Sequence, residues 1–411
     1  MKKLLLGLAA VSFAASANAE VTFSGNTYFS YLTKNNDNGV KDSNSDLYLT
    51  YSALNVNAKK GENLSFLLEL NHVNKFGTGG GVSNVNASDG STQQSNLVFV
   101  QEATASMAVS DTVTVTFGRS GLELNSGELV SKRPFDEENI AFDGVRLVHD
   151  ADYGRLGLSH SVAFDNETLG GRVIFNGIQY THKNLPEALS NASIHYVSAV
   201  AESDTLAGNA FVNIDTERAW LGANLKGDMA NMDYRLDFEN FSGTAVGGAD
   251  RSGSMIDFEF GYSMPEVMDS RVALYFHTDS GETGSAKSSY DALYYDNHKY
   301  AGKMDVLGWG NLTDIAVMYS IKPYSGSTVS FEYHMFTATE EAATFSAGGS
   351  AISGLDATKS DLGSELDIIW AHNYSSGLYV NMELGMFMPG DAFGTSDETI
   401  NRLYVETGFS F

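Results

Sequence analysis

Asp233, Arg235, Asp237 and Glu239 occupy alternate positions in the run MDYRLDFENF, and Asp257 and Glu259 do the same in MIDFEFGY. Leu236, Phe238, Ile256, Phe258 and Phe260 fall between them. Residues two apart share one face of a strand, so each run sets a row of charge against a row of hydrocarbon. Fixed charges facing water can sort ions by sign, and on parity alone this row favours cations. A second set is basic: Arg119, Lys132, Arg133 and Arg146, spread over two strands and the stretch between. These are the groups that would meet a carboxylate. The polar loop 124–140 carries Lys132 and Arg133 beside Asp136, Glu137 and Glu138, and folding it inward would narrow an opening. Arg119 shares a parity with Val113, Val115 and Phe117. A bulge at Gly118 would turn it inward, since glycine is where bulges sit. Strand 46–59 also changes phase, near Ala53.

Catalytic chemistry finds no support. There is no G-x-S-x-G, no H-E-x-x-H and no P-loop. The chain has no cysteine and nine scattered histidines, so no metal ligand set, cofactor or catalytic residue is assigned. His160, His277 and His334 lie in no neighbourhood that marks an enzyme, and a non-enzymatic function is expected. A net charge of −26, or −28 once Lys2 and Lys3 leave with a leader, argues against a nucleic-acid partner.

The elements that must carry these rows are strands. Period-two alternation gives eighteen: 21–34, 46–59, 63–75, 96–110, 112–123, 141–151, 154–165, 172–183, 192–203, 217–228, 232–243, 254–264, 270–279, 312–323, 327–338, 364–375, 377–388 and 399–411. The last, TINRLYVETGFSF, alternates Leu403, Val405, Thr407, Phe409 and Phe411 with polar partners and ends on an aromatic ring. Connections alternate between short turns such as AKKGEN, VSDT and GDMANM and long polar loops such as 124–140, 242–253, 279–311 and 339–363. That sorting puts all short turns at one end of a single closed sheet and all long loops at the other, as outer-membrane barrels do. A soluble sandwich has no reason to sort its loops.

Residues 1–19 read as a secretory signal: Lys2 and Lys3, an apolar run from Leu4 to Ala15, then Ala17-Asn18-Ala19. The run is too short to span a bilayer as a helix. Residues 20–411 then form one barrel domain, all-β and antiparallel, with short periplasmic turns, long extracellular loops and outer-membrane lipid around it. The expected location is the outer membrane of a Gram-negative bacterium. Eighteen strands make a cylinder too wide for side chains to fill, so a water-filled lumen is expected. Tyr51, Tyr262, Tyr333, Trp370 and Tyr374 are placed on the outer face as interfacial rings. This architecture suits a passive channel for small hydrophilic solutes or oligosaccharides. Two alternatives stay open: a sixteen-strand trimeric general porin, and a non-conducting surface barrel whose loops bind a partner.

The run FGRSGLELNSGELVSKRPFDEENIAFDGVRL resembles the alginate-export family of outer-membrane barrels in Gly118-Arg119, Lys132-Arg133 and Phe142-Asp143. HKYAGKMDVLGWGNLTDIAV, FEYHMF, SELDIIW and MELGMFMPGDAF are similar to the family's C-terminal half, most specifically at Phe387-Met388-Pro389-Gly390-Asp391. The resemblance implies a monomeric eighteen-strand channel. It also implies passage of an anionic polysaccharide through a constriction lined by Arg and Lys, with Arg119, Lys132, Arg133 and Arg146 as anion contacts. This sequence departs in carrying more acids than bases on its inferred lumen.

Overall fold

In the computed structural model of the protein, the described residues are 20–36, 44–76, 96–132, 140–166, 171–201, 215–245, 249–281, 289–341, 346–347, 350–351, 355–356, 358–394 and 398–411. The expected leader 1–19 and Arg133 lie outside them.

Eighteen strands follow one another. They are β1 (Glu20–Asn35), β2 (Ser45–Lys60), β3 (Leu64–Phe76), β4 (Asn96–Ala108), β5 (Val113–Ser120) and β6 (Phe142–Ala151). Next come β7 (Gly154–Asn166), β8 (Gly171–His182), β9 (Asn191–Ala201), β10 (Asp215–Met229), β11 (Met232–Ala245) and β12 (Asp250–Met264). The last are β13 (Ser270–Asp279), β14 (Leu312–Ile321), β15 (Ser327–Ala338), β16 (Asp361–Asn373), β17 (Leu378–Pro389) and β18 (Ile400–Ser410). Each pairs antiparallel with the next, and β18 pairs with β1 from Asn26↔Ser410 to Asn35↔Asn401. The sheet therefore closes and leaves no unpaired edge, which is the condition for strands to cross hydrocarbon. A two-residue hairpin, Ser346–Ala347 with Ser350–Ala351, lies apart from the barrel sheet. Among the described residues no helix is long and apolar enough to cross a membrane.

Alternation decides which residues face out. Leu221, Leu274, Ile256, Phe238 and Phe331 are all exposed, while their neighbours Trp220, Tyr275, Asp257 and Asp237 are buried inside. An apolar outer band is what a bilayer requires, since a charge there costs about 2–4 kcal/mol at the midplane. Strand boundaries fall within a few residues of those read from the sequence. The largest difference is between β11 and β12: both strands run on, so the expected loop 242–253 shrinks to 246–249.

Two parity breaks resolve differently from expectation. β2 pairs without any register shift, so it has no change of phase. Its odd residues Leu49, Tyr51 and Ala53 point inward and pack with Val73, which the hydrophobic pattern alone had disguised. Tyr51 is thus an interior residue stacked on Tyr28 at 4.8 Å, not an interfacial one. At Gly118 the backbone does take φ +118, where an added Cβ would strike the carbonyl of Ala103. Yet the ladder passes through it with no inserted residue. Arg119 stays in the outward row of Val115 and Phe117, directly opposite Asp143.

Candidate functional site

Two loops from the long-loop end fold into the barrel and fill part of it. Residues 121–132 double back through a Leu124–Val130 bridge, and Val130 bridges in parallel to Tyr294 of the loop 280–311. Ser131 N–H donates to Tyr294 O (2.9 Å), Tyr294 N–H to Leu129 O (3.1 Å) and Asp296 N–H to Gly127 O (3.0 Å). These bonds satisfy the backbone of a segment that is cut off from bulk water. Leu129, Val130, Met304 and Leu307 are fully buried against wall residues Trp220, Phe241, Phe336 and Phe387. Trp309 is the pin: its ring stacks on His277 at 4.2 Å and on Tyr295 at 4.5 Å. The sequence reading allowed the inward fold of the first loop. The second loop does the same, held by Trp309 and Tyr294, whose partners are distant in sequence.

The wall beneath these loops is tied to them by carboxylates. Asp279 accepts from the backbone of Gly310 at 2.8 Å and Leu312 at 2.9 Å, and from Asn311. Glu365 accepts from Met304 N–H at 2.8 Å. His298 of the loop lies 2.9 Å from Asp305 and 3.2 Å from Glu383, and Arg402 reaches Asp305 at 3.4 Å. Burial alone would lower the His298 pKa, but the two carboxylates override it and raise it above the ordinary 6.5. For Asp305, burial opposes ionisation, and the His298 hydrogen bond and charge outweigh it, so its pKa is lowered.

The acidic row singled out in sequence is already paired, and Asp237, Glu239 and Asp257 within it are buried. Arg235 lies between Asp237 (3.0 Å) and Asp257 (2.6 Å), and also contacts Glu128 of the inward loop. Glu239 meets His195 at 3.0 Å and Asn125 at 3.2 Å. Glu259 meets Arg271 at 2.7 Å, and Asp233 pairs with the same guanidinium. Asp237, Glu239 and Asp257 have no exposed surface. The row is therefore a ladder of ion pairs in which the acids, with Glu128, outnumber Arg235, Arg271 and His195, rather than the expected wall of free charges.

The three described basic residues, Arg119, Lys132 and Arg146, separate. Arg119 pairs with Asp143 at 3.1 Å, with side chains 39% and 66% exposed, so it does not turn into the lumen. Lys132 does lie inside, 2.8 Å from Glu102, and keeps 44% of its side chain exposed. Arg146 faces inward between Thr116 and Ser159 and forms no ion pair among the described residues. Arg155, missed as a pathway residue, lies on the same inward row of β7 as Ser159 and is exposed. The inward faces of β1 to β7 thus stay partly open, with Tyr28, Glu69, Thr104 and Arg146 all partly accessible. Glu69 and Glu102 lie on the inward faces of β3 and β4, and Arg146 and Arg155 on those of β6 and β7.

Residues 13–405 match the family described as Alginate export. No curated protein matches the sequence significantly. Among solved structures, Acinetobacter baumannii OccAB1 superposes with a TM-score of 0.64 at 14% identity, covering 96% of this chain and 98% of that one. Pseudomonas aeruginosa OccK5 (OpdH) gives 0.62 at 13% identity, covering 95% and 98%. Pseudomonas aeruginosa OccK3 (OpdO) gives 0.64 at 14% identity, covering 95% and 96%. At such identities the likeness is one of fold, and it extends over the whole barrel.

Proposed function

The chain belongs to the alginate-export family of outer-membrane barrels, and from that premise we propose that it passes small hydrophilic solutes passively, anionic oligosaccharides among them. Within the proposal it acts as a monomer, with residues 1–19 as a cleaved leader. Direct chemistry on the solute is not part of it.

The observation that carries the anionic reading is Arg146. It faces the open side of the lumen with no carboxylate bound to it among the described residues, and Arg155 continues its row. The acids of β11 and β12 contact Arg235, Arg271 and His195, and Asp237, Glu239 and Asp257 are fully buried, which weakens their repulsion of a passing uronate. Glu69 lies across from them on β3, with Glu102 beside it held by Lys132, which makes the field across the opening transverse. A carboxylated sugar then follows the basic flank through charge-assisted hydrogen bonds.

Single-channel block by uronate and by neutral oligomers of equal length tests this. In the Arg146→Ala, Arg155→Ala variant, uronate block weakens by tenfold or more while neutral block changes little. Arg119→Ala leaves both unchanged, because that side chain is engaged with Asp143 on the outward row. Equal loss for both oligomers, or no uronate block in the unaltered protein, rejects the anion pathway and leaves a general porin.

A further inference from the structure

A cluster on the inward faces of β15 and β16 plays no part in the passage. Glu332 and His334 lie two residues apart on β15, with Asp367 directly opposite Glu332 and Glu365 opposite His334. One donor atom from each of Glu332, His334 and Asp367 lies within 4.8 Å of the others. His334 is 4% exposed, Glu365 1% and Asp367 not at all.

Acids alone would not indicate a ligand, but the histidine does. Its Nδ1 is 2.8 Å from Asp314 Oδ2. A carboxylate accepts, so Nδ1 donates to Asp314, and Nε2 offers a lone pair to a cation that displaces its proton. That Nε2 is buried with no hydrogen-bond partner, 3.9 Å from Glu332 Oε2. Buried polar atoms nearly always have a partner, so an unused one calls for an explanation. A histidine oriented through one nitrogen by a carboxylate, with the other nitrogen aimed at acids, is the arrangement that metal ligands adopt. Asp367 Oδ1 and Glu365 Oε2 are likewise buried and unpartnered. Their sister oxygens are held by the inward loop, through Lys303 N–H at 3.4 Å and Met304 N–H at 2.8 Å.

We propose that Glu332, His334 and Asp367 bind a divalent first-row transition cation, zinc fitting best, with Glu365 as the fourth donor. One imidazole with carboxylates suits zinc, whose bonds to nitrogen and oxygen are about 2.0–2.2 Å. Calcium and magnesium favour larger, all-oxygen shells. The donors need draw together only slightly to reach zinc distances. A second acid triad in the barrel, Glu128, Asp237 and Asp257, shows the contrast. There the Arg235 guanidinium already sits among the carboxylates. At β15 and β16 the Lys303 ammonium stands off at 3.9 Å from Glu332 and competes with the ion. An ion here would tie the inward loop to the wall at residues 303 and 304.

The test uses the full barrel purified in detergent, stripped with a chelator and dialysed against zinc. Metal analysis is expected to give one zinc retained per chain, and cobalt in its place to give visible absorption bands of low-symmetry coordination. His334→Gln and Asp367→Asn lower the zinc affinity at least a hundredfold, and Asp314→Asn, which only positions the ring, lowers it about 10–100-fold. Lys303→Met raises it. If the variants fail to fold, anomalous scattering from zinc-soaked crystals of the unaltered protein decides: a peak between β15 and β16 supports the site. A folded barrel with no such peak, or with zinc retention equal in the His334→Gln variant, overturns the proposal and leaves an ion-pair network around a protonated His334.

Discussion

Removing the Arg235 guanidinium would strand Glu128, Asp237 and Asp257 as buried, uncompensated carboxylates. Arg235→Met is therefore expected to destabilise the barrel by ~3–5 kcal/mol, the usual cost of taking one partner from a buried ion pair. Urea unfolding in detergent or lipid checks this; a change under about 1 kcal/mol would mean the acids are neutral without it. His298 and Asp305 make the loop anchor pH-dependent from both sides. His298 has a raised pKa, so its contribution is complete below 6.5 and is lost as pH rises through the raised value. Asp305 has a lowered pKa, so its contribution is present above 3.8 and is lost as pH falls through the lowered value. The anchor is tightest between those limits. Channel noise recorded across pH should rise beyond each limit, and His298→Gln should raise it between them as well, to the level seen above the alkaline limit. Identical noise profiles for the variant and the parent would show that His298 does not hold the loop.

Among the elements, strands were far more legible than loops. A strand declares itself by alternation along its own residues, so all eighteen could be read from local pattern, and with them the inward parity of Asp237, Arg146 and Arg402. β2 shows where local pattern misleads: Leu49 and Tyr51 are apolar yet interior, because they pack against Val73 and Tyr28 on flanking strands. The inward loops were not legible because their partners are distant in sequence. Trp309 stacks on His277, and Glu128 meets Arg235, across more than a hundred residues in the second case. The cross-strand cluster at β15 and β16 was hidden for the same reason: its ligand types fall as two short pairs, Glu332 with His334 and Glu365 with Asp367, in no recognised metal spacing. The pinning role of Trp309 has a direct consequence. Trp309→Ala removes a buried ring at a cost of about 3–5 kcal/mol, which the loop rather than the wall must absorb. The expected result is a larger and noisier single-channel conductance with an intact, heat-modifiable barrel. Unchanged conductance would place the narrowest point elsewhere.

At the scale of the whole molecule, an eighteen-strand closed sheet encloses two inward loops packed against wall residues such as Trp220, Phe241, Phe336 and Phe387. The outward rows are mostly apolar, the acids of β11 and β12 contact Arg235, Arg271 and His195, and Arg146 and Arg155 lie on inward rows. Neutralising Asp237 and Asp257 together should therefore move the reversal potential by only a few millivolts in dilute salt, since both carboxylates have no surface open to permeating ions and Glu128 still pairs with Arg235. A large shift towards anions would show that these carboxylates face the permeating ions after all. The proposed passage requires a continuous lumen, and planar-bilayer recording of the purified, heat-modifiable protein measures that directly. The expected result is discrete, ohmic conductance steps from a single chain. Insertion of a correctly folded barrel that gives no steps in molar salt would contradict the account and favour a closed surface barrel.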